Sequence, residues 1–108
     1  MYDLNNLSKM KTLEALAPEA MKAFMAFDKA AVADGAIPAK YKELMALSVA
    51  FTTQCPYCID IHAKNARGLG TTDQEMAEAA LVAAALRAGG ALTHGTHALK
   101  GTWRDVRD

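Results

Sequence analysis

The chain has 108 residues, with 12 Lys plus Arg against 12 Asp plus Glu and no net charge. That length suits a single domain spanning 1–108, and the charge balance excludes the basic footprint of a nucleic-acid binder. Hydrophobic residues make up 52% of the chain, and with no net charge to hold copies apart, self-association is expected.

Met1 to Met10 is polar and mixed, without the apolar stretch of a signal segment. The longest run lacking a charged residue, Leu44 to Ile59, is interrupted by Ser48, Thr52, Thr53, Gln54 and Pro56, too short and too polar for a membrane span. The expectation is a cytoplasmic protein with no membrane or nucleic-acid partner. Alanine occurs 23 times and β-branched residues are sparse, which favours helix, and no segment alternates like a half-buried strand.

Pro18 opens a predicted first helix through Met21, Phe24, Met25, Phe27 and Ala31 that stops before Gly35. Pro38 opens a second, with Tyr41, Leu44, Met45, Ser48, Val49 and Thr52 at helical spacing. Pro56 opens a third that ends near Gly68 or Gly70. Thr72 with Glu75 forms a capping box for a fourth, which runs to a break at Gly89-Gly90. A fifth extends from about Ala91 to Arg104, weakened by Gly95 and Gly101. The fold class is therefore all-α, a compact oligomeric bundle of about five to six helices with short connections.

The chemistry concentrates at the start of the third helix, in Cys55-Pro56-Tyr57-Cys58-Ile59-Asp60-Ile61-His62. Residues three and four apart share a helix face, so Cys55, Cys58 and His62 line one side of two turns. Pro56 suits the first helical position, which puts Cys55 at the N-cap, where free N–H groups and the helix dipole favour thiolate over thiol. Thiolates in such surroundings have pKa values lowered from ~8.5 to roughly 3.5–7.5. His62 argues for Cys58 as the peroxide nucleophile, whereas the N-cap argues for Cys55 as the thiol that external partners attack. Two thiolates and an imidazole also make three zinc ligands, with Glu43, His94 or His97 as a conceivable fourth. By residue type alone, Glu43 reads either as a surface carboxylate near a helix N-terminus or as part of the site. His94 and His97 read as surface or interface residues, Asp60 as solvent-facing or a local charge partner, and Tyr57 as part of the site wall or an interface.

The ordered set Glu43, eleven residues, Cys55-x-x-Cys58, three residues, His62 resembles the alkylhydroperoxidase D (AhpD-like) branch of the carboxymuconolactone decarboxylase family. The resemblance implies that Cys58 is the thiol paired with His62, that Glu43 reaches His62 directly or through water, and that Cys55 completes a disulfide. It implies a peroxidase or thiol–disulfide oxidoreductase that needs neither metal nor cofactor. The substrate would be a hydroperoxide, and an external dithiol or thiol carrier protein would be the reductant. A chain with one such domain resembles the hexameric members, with a trimer as the alternative. The rival readings are a redox-responsive or chaperone-like oligomer with little turnover, and a zinc-binding structural module.

Overall fold

The computed structural model describes residues 2–101. Five α-helices follow one another, α1 (Met10–Leu16), α2 (Pro18–Val32), α3 (Ala39–Thr53), α4 (Pro56–Gly68) and α5 (Asp73–Gly95). Short 3-10 helices at Leu4–Lys9 and Thr96–Ala98 flank them, and there is no strand among the described residues.

The helix starts follow from local chemistry. Pro18 and Pro56 occupy first-turn positions, where a missing N–H costs nothing. Pro38 is extended and sits one residue before α3, and Asp34 accepts from the Ala39 N–H at 2.7 Å. At Thr72 the hydroxyl accepts from the Glu75 N–H at 3.1 Å, while the Glu75 carboxylate accepts from the Thr72 N–H at 3.0 Å, so two otherwise orphaned donors are satisfied. The stops are equally local. Gln54 takes a left-handed conformation with φ 56° and ends α3. Beyond α4, Gly70 takes φ 84°, which glycine alone adopts without a Cβ penalty, and the Thr71 N–H returns to the Ala66 carbonyl at 3.0 Å.

Two expectations are corrected here. The polar N-terminus folds into the Leu4–Lys9 turn and α1, with Asp3 accepting from the Asn5 N–H at 2.9 Å. The break at Gly89-Gly90 does not occur, and α5 continues through both glycines to Gly95. A glycine inside a helix costs about 1 kcal/mol relative to alanine without forcing a stop. Here Ala84, Ala85, Leu86, Arg87, Ala88, Ala91 and Leu92 surround the pair with good helix formers. The far end of the predicted fifth helix, Thr102 to Arg104, lies outside the described residues.

α3 is the central element, packed by α4 on one side and α5 on the other. Its inward residues Leu47 and Ala50 are buried with Ala66 of α4 and Ala83 of α5. These small side chains let the backbones approach closely enough for the Ser48 hydroxyl to donate to the Ala79 carbonyl at 3.0 Å. α2 touches this unit sparingly, so the chain is elongated, 62 × 34 × 30 Å with a radius of gyration of 19.0 Å. A compact domain of this length would have about 13 Å. Compactness is thus confined to α3, α4 and α5.

Candidate active site

The packing of α4 on α3 brings Glu43, Cys55, Cys58 and His62 into one region. Pro56 starts α4, and Cys55 is its N-cap, with the sulfur accepting from the Cys58 N–H at 3.3 Å. Both thiols are free, and the two sulfurs share a hydrogen bond at 2.7 Å. In a thiol–thiol contact either sulfur can donate, and the backbone decides between them. The N–H of Cys58 points at Cys55, so a negative charge is better held there. The Cys55 pKa is lowered, first by the Cys58 thiol and then by the Cys58 and Tyr57 N–H groups. Cys58 is pushed up to about 11, first by the same contact with Cys55, then by burial, by the Cys55 charge and, weakly, by Asp28 of α2. The first proton of the pair therefore leaves Cys55.

One turn along α4, the Nδ1 of His62 lies 2.6 Å from a carboxylate oxygen of Glu43. Glu43 is 4% exposed, a buried residue on the inner side of α3 rather than a surface carboxylate. An ionised carboxylate only accepts, so Nδ1 carries the hydrogen and Nε2 keeps the lone pair. The other Glu43 oxygen accepts from the Asn65 amide at 3.5 Å.

The direct Glu43–His62 bond matches one of the two routes the resemblance implied. The pairing of Cys58 with His62 does not appear in this resting arrangement. Among the described residues no hydrogen bond joins His62 to either sulfur, because Nδ1 tethers the ring to α3 while Cys58 bonds Cys55. His94, at the far end of α5, and His97, in the Thr96–Ala98 turn that follows, have ring centroids 5.6 Å apart, away from the thiols along the chain. Asp60 accepts from Lys64 one turn on, at 3.1 Å, as a local charge partner. Among the described residues no three His, Cys, Asp or Glu side chains converge as a metal site would require.

Two contributors escaped the sequence reading. Asn65 lies three residues after His62 and so shares its face, a signal that was available. Tyr57 was read as part of the site wall or an interface, without its hydrogen bonds to the N-terminus. Its hydroxyl accepts from the Asp3 N–H at 3.2 Å and the Asn6 amide at 3.1 Å, and its ring meets Tyr2 at 6.1 Å between centroids. The N-terminal turn is thereby strapped over the residue between the two cysteines.

The family model described as "Carboxymuconolactone decarboxylase family" matches residues 18–101. The chain belongs to this family. The described helices α2 to α5 all lie within the matched segment, so the family fold carries the thiol pair and the Glu43–His62 pair alike. Among curated proteins, the chain is 48% identical over 77 residues to "Uncharacterized protein 4 in cox locus" of Paracoccus denitrificans, a match covering 71% of this chain and 69% of that one. Among solved structures, a protein of Methanobacterium thermoautotrophicum superposes with a TM-score of 0.77 at 31% identity, covering 82% of this chain and 99% of the other. A carboxymuconolactone decarboxylase family protein from Legionella pneumophila, in its apo form, superposes with a TM-score of 0.74 at 31% identity, covering 83% and 80%.

Proposed function

We propose that this member of the carboxymuconolactone decarboxylase family is a dithiol enzyme of the AhpD-like branch, a hydroperoxide reductase or thiol–disulfide oxidoreductase working through Cys55 and Cys58. The observation that carries the reading is the contact of two free thiols at a helix N-terminus, one turn from a buried carboxylate–imidazole pair. In the first step the Cys55 thiolate, rather than the Cys58 thiolate that the sequence pointed to, attacks the O–O bond of a hydroperoxide, because the Cys58 N–H and thiol both point at the Cys55 sulfur. The bond breaks, the alcohol or water departs with one proton, and the sulfur is oxidised to sulfenic acid. Cys58 then attacks that sulfur, water leaves, and a disulfide closes within the chain. In that step the Nε2 lone pair of His62 takes the Cys58 proton and returns it to the departing hydroxide, which leaves as water, while Glu43 holds the ring and balances the transient imidazolium charge. An external dithiol or thiol carrier protein returns two electrons and two protons by exchange.

This chemistry needs no metal or flavin. The enzyme works in the cytoplasm, where the glutathione and thioredoxin pools keep the resting pair reduced, and as a homohexamer rather than a homotrimer. The large exposed apolar surface supports assembly, and also supports a second reading, a redox-responsive oligomer with little turnover. Steady-state consumption of an alkyl hydroperoxide with dithiothreitol separates the two. Mild peroxide should convert the wild type to a species lacking two alkylatable thiols per chain, and Cys55→Ser and Cys58→Ser should each abolish turnover. Thiols that stay free, or disulfides only between chains, would remove the basis for the enzyme reading.

A further inference from the structure

Among the described residues, the C-terminal half of α5 is held to the rest of the fold by one hydrogen bond, from the Arg87 guanidinium to the Thr52 carbonyl at 2.9 Å. Every residue from Ala84 to Lys100 is exposed, including Leu86 at 69% and Leu92 at 77%. Yet this segment holds Gly89, Gly90 and Gly95 within the helix. A Cβ built on any of the three would meet nothing within 4 Å. Helix-interior glycine is destabilising by roughly 0.5–1 kcal/mol against alanine, and nothing among the described residues requires it. Without a Cβ, glycine lets whatever docks on the helix approach its backbone closely.

The face that carries the pair is apolar. Val82, Leu86, Gly89, Gly90 and Thr93 recur at the spacing of one helix stripe. The Thr93 hydroxyl is satisfied by the Gly89 carbonyl at 2.8 Å. Area argues for what covers this face. A monomer of this mass is expected to expose about 5800 Å², whereas this chain exposes 8570 Å². The surplus of about 2800 Å² per chain is the scale of obligate assembly, since a standard interface takes about 800 Å² from each partner.

We propose that a second copy of this chain docks on the Val82–Thr93 face, α5 against α5 across a two-fold axis, with Gly89 and Gly90 at the crossing. This rests on the assembly reading given above and names one of its contacts. Close backbone approach needs small residues on both helices, and α5 itself is the small-residue helix of this fold. α2, with Phe24, Met25 and Phe27, is not. A two-fold contact is isologous, so it fits a hexamer of paired trimers and excludes a plain three-fold ring. By length and composition α5 is also apolar enough to cross a membrane, and a bilayer is the competing occupant. Arg87 within the helix and the packing of its first half on α3 favour the protein partner.

The experiment compares wild type with Gly89→Leu and Gly90→Leu by light scattering coupled to size exclusion, with helicity followed by circular dichroism. Leucine is a better helix former than glycine, so both variants should keep or gain helicity. Overpacking the crossing should raise the concentration needed for half-assembly by about tenfold or more. In the wild type, backbone amides from Ala84 to Gly95 should be protected from hydrogen exchange at assembling concentrations and lose that protection on dilution. A wild type that is monomeric throughout overturns the assembly reading and this contact with it. An oligomeric wild type whose glycine variants assemble unchanged and melt higher, or whose Ala84–Gly95 amides exchange freely, overturns the contact alone. Wild-type protein that floats with phosphatidylcholine–phosphatidylglycerol vesicles assigns the face to a bilayer and overturns the proposal.

Discussion

A thiolate on Cys55 is met by a backbone N–H, by the Cys58 thiol and by the start of α4, so the charge is held without any cationic side chain. Cys58 has the opposite setting, because it lends its hydrogen to a neighbour that is already negative. The contrast predicts two well-separated steps in the pH dependence of alkylation. The first thiol should become reactive below the ordinary cysteine range and the second only near 11, since reactivity rises as pH climbs through each pKa. Cys55→Ser deletes the first-ranked cause of the rise at Cys58, so the Cys58 step should move down toward the ordinary value. Iodoacetamide rates across pH 6–12 check this (the range is roughly that of free thiols), and a Cys58 step still near 11 in the variant would place the cause elsewhere. Spacing alone put Cys55, Cys58 and His62 on one face, because all three share a helix. Glu43 was ambiguous for a physical reason: its burial is made by the docking of α4 on α3, which no local pattern encodes. The proton arrangement of the two sulfurs was equally hidden, since it depends on where one N–H points.

At the scale of elements, the starts were more legible than the stops. Proline and the Thr72–Glu75 box act through the nearest backbone groups, so the onsets of α2, α3, α4 and α5 could be read from the chain. Glycine carries no such single meaning. Gly70 takes a left-handed conformation and turns the chain, whereas Gly89 and Gly90 remain helical. The neighbours distinguish the two cases, since good helix formers flank Gly89-Gly90 on both sides, whereas Gly70 is followed closely by the Thr72 cap of the next helix. The N-terminal helices were missed because their order comes from Asp3 and from the distant Tyr57 hydroxyl. The capping box supplies the sharpest test at this scale. Thr72→Ala removes the hydroxyl that accepts the Glu75 N–H and should cost about 1 kcal/mol. The measurement is the urea midpoint at constant m-value. An unchanged midpoint would mean that the packing of α3 on α5 holds the helix start unaided.

For the whole molecule, the buried interior is too small for the chain. Leu47, 1% exposed, is the one large side chain among the described residues that is wholly enclosed, while Phe24, Phe27, Leu81, Leu86, Leu92 and Leu99 are all more than half exposed. An isolated protomer with that ledger has little to set against the conformational entropy of ordering a hundred residues, which is of order 1–2 kcal/mol each for the backbone alone. Folding and association should therefore be one event. If so, stability is inseparable from protomer concentration, and the melting temperature of the reduced protein should climb by roughly 5–10 °C over a hundredfold increase in concentration. Calorimetry or circular dichroism melts at several concentrations check this, with light scattering reporting mass at each. The oxidised protein adds a link back to the site. Cys55 and Cys58 sit at the start of α4 beneath the N-terminal strap held by Tyr57, whereas the α5 face lies on the other side of α3. Disulfide closure should leave the concentration dependence intact. A melting temperature that does not move with concentration, at a mass of one chain, would mean that this elongated protomer is stable alone and that its exposed leucines need no partner.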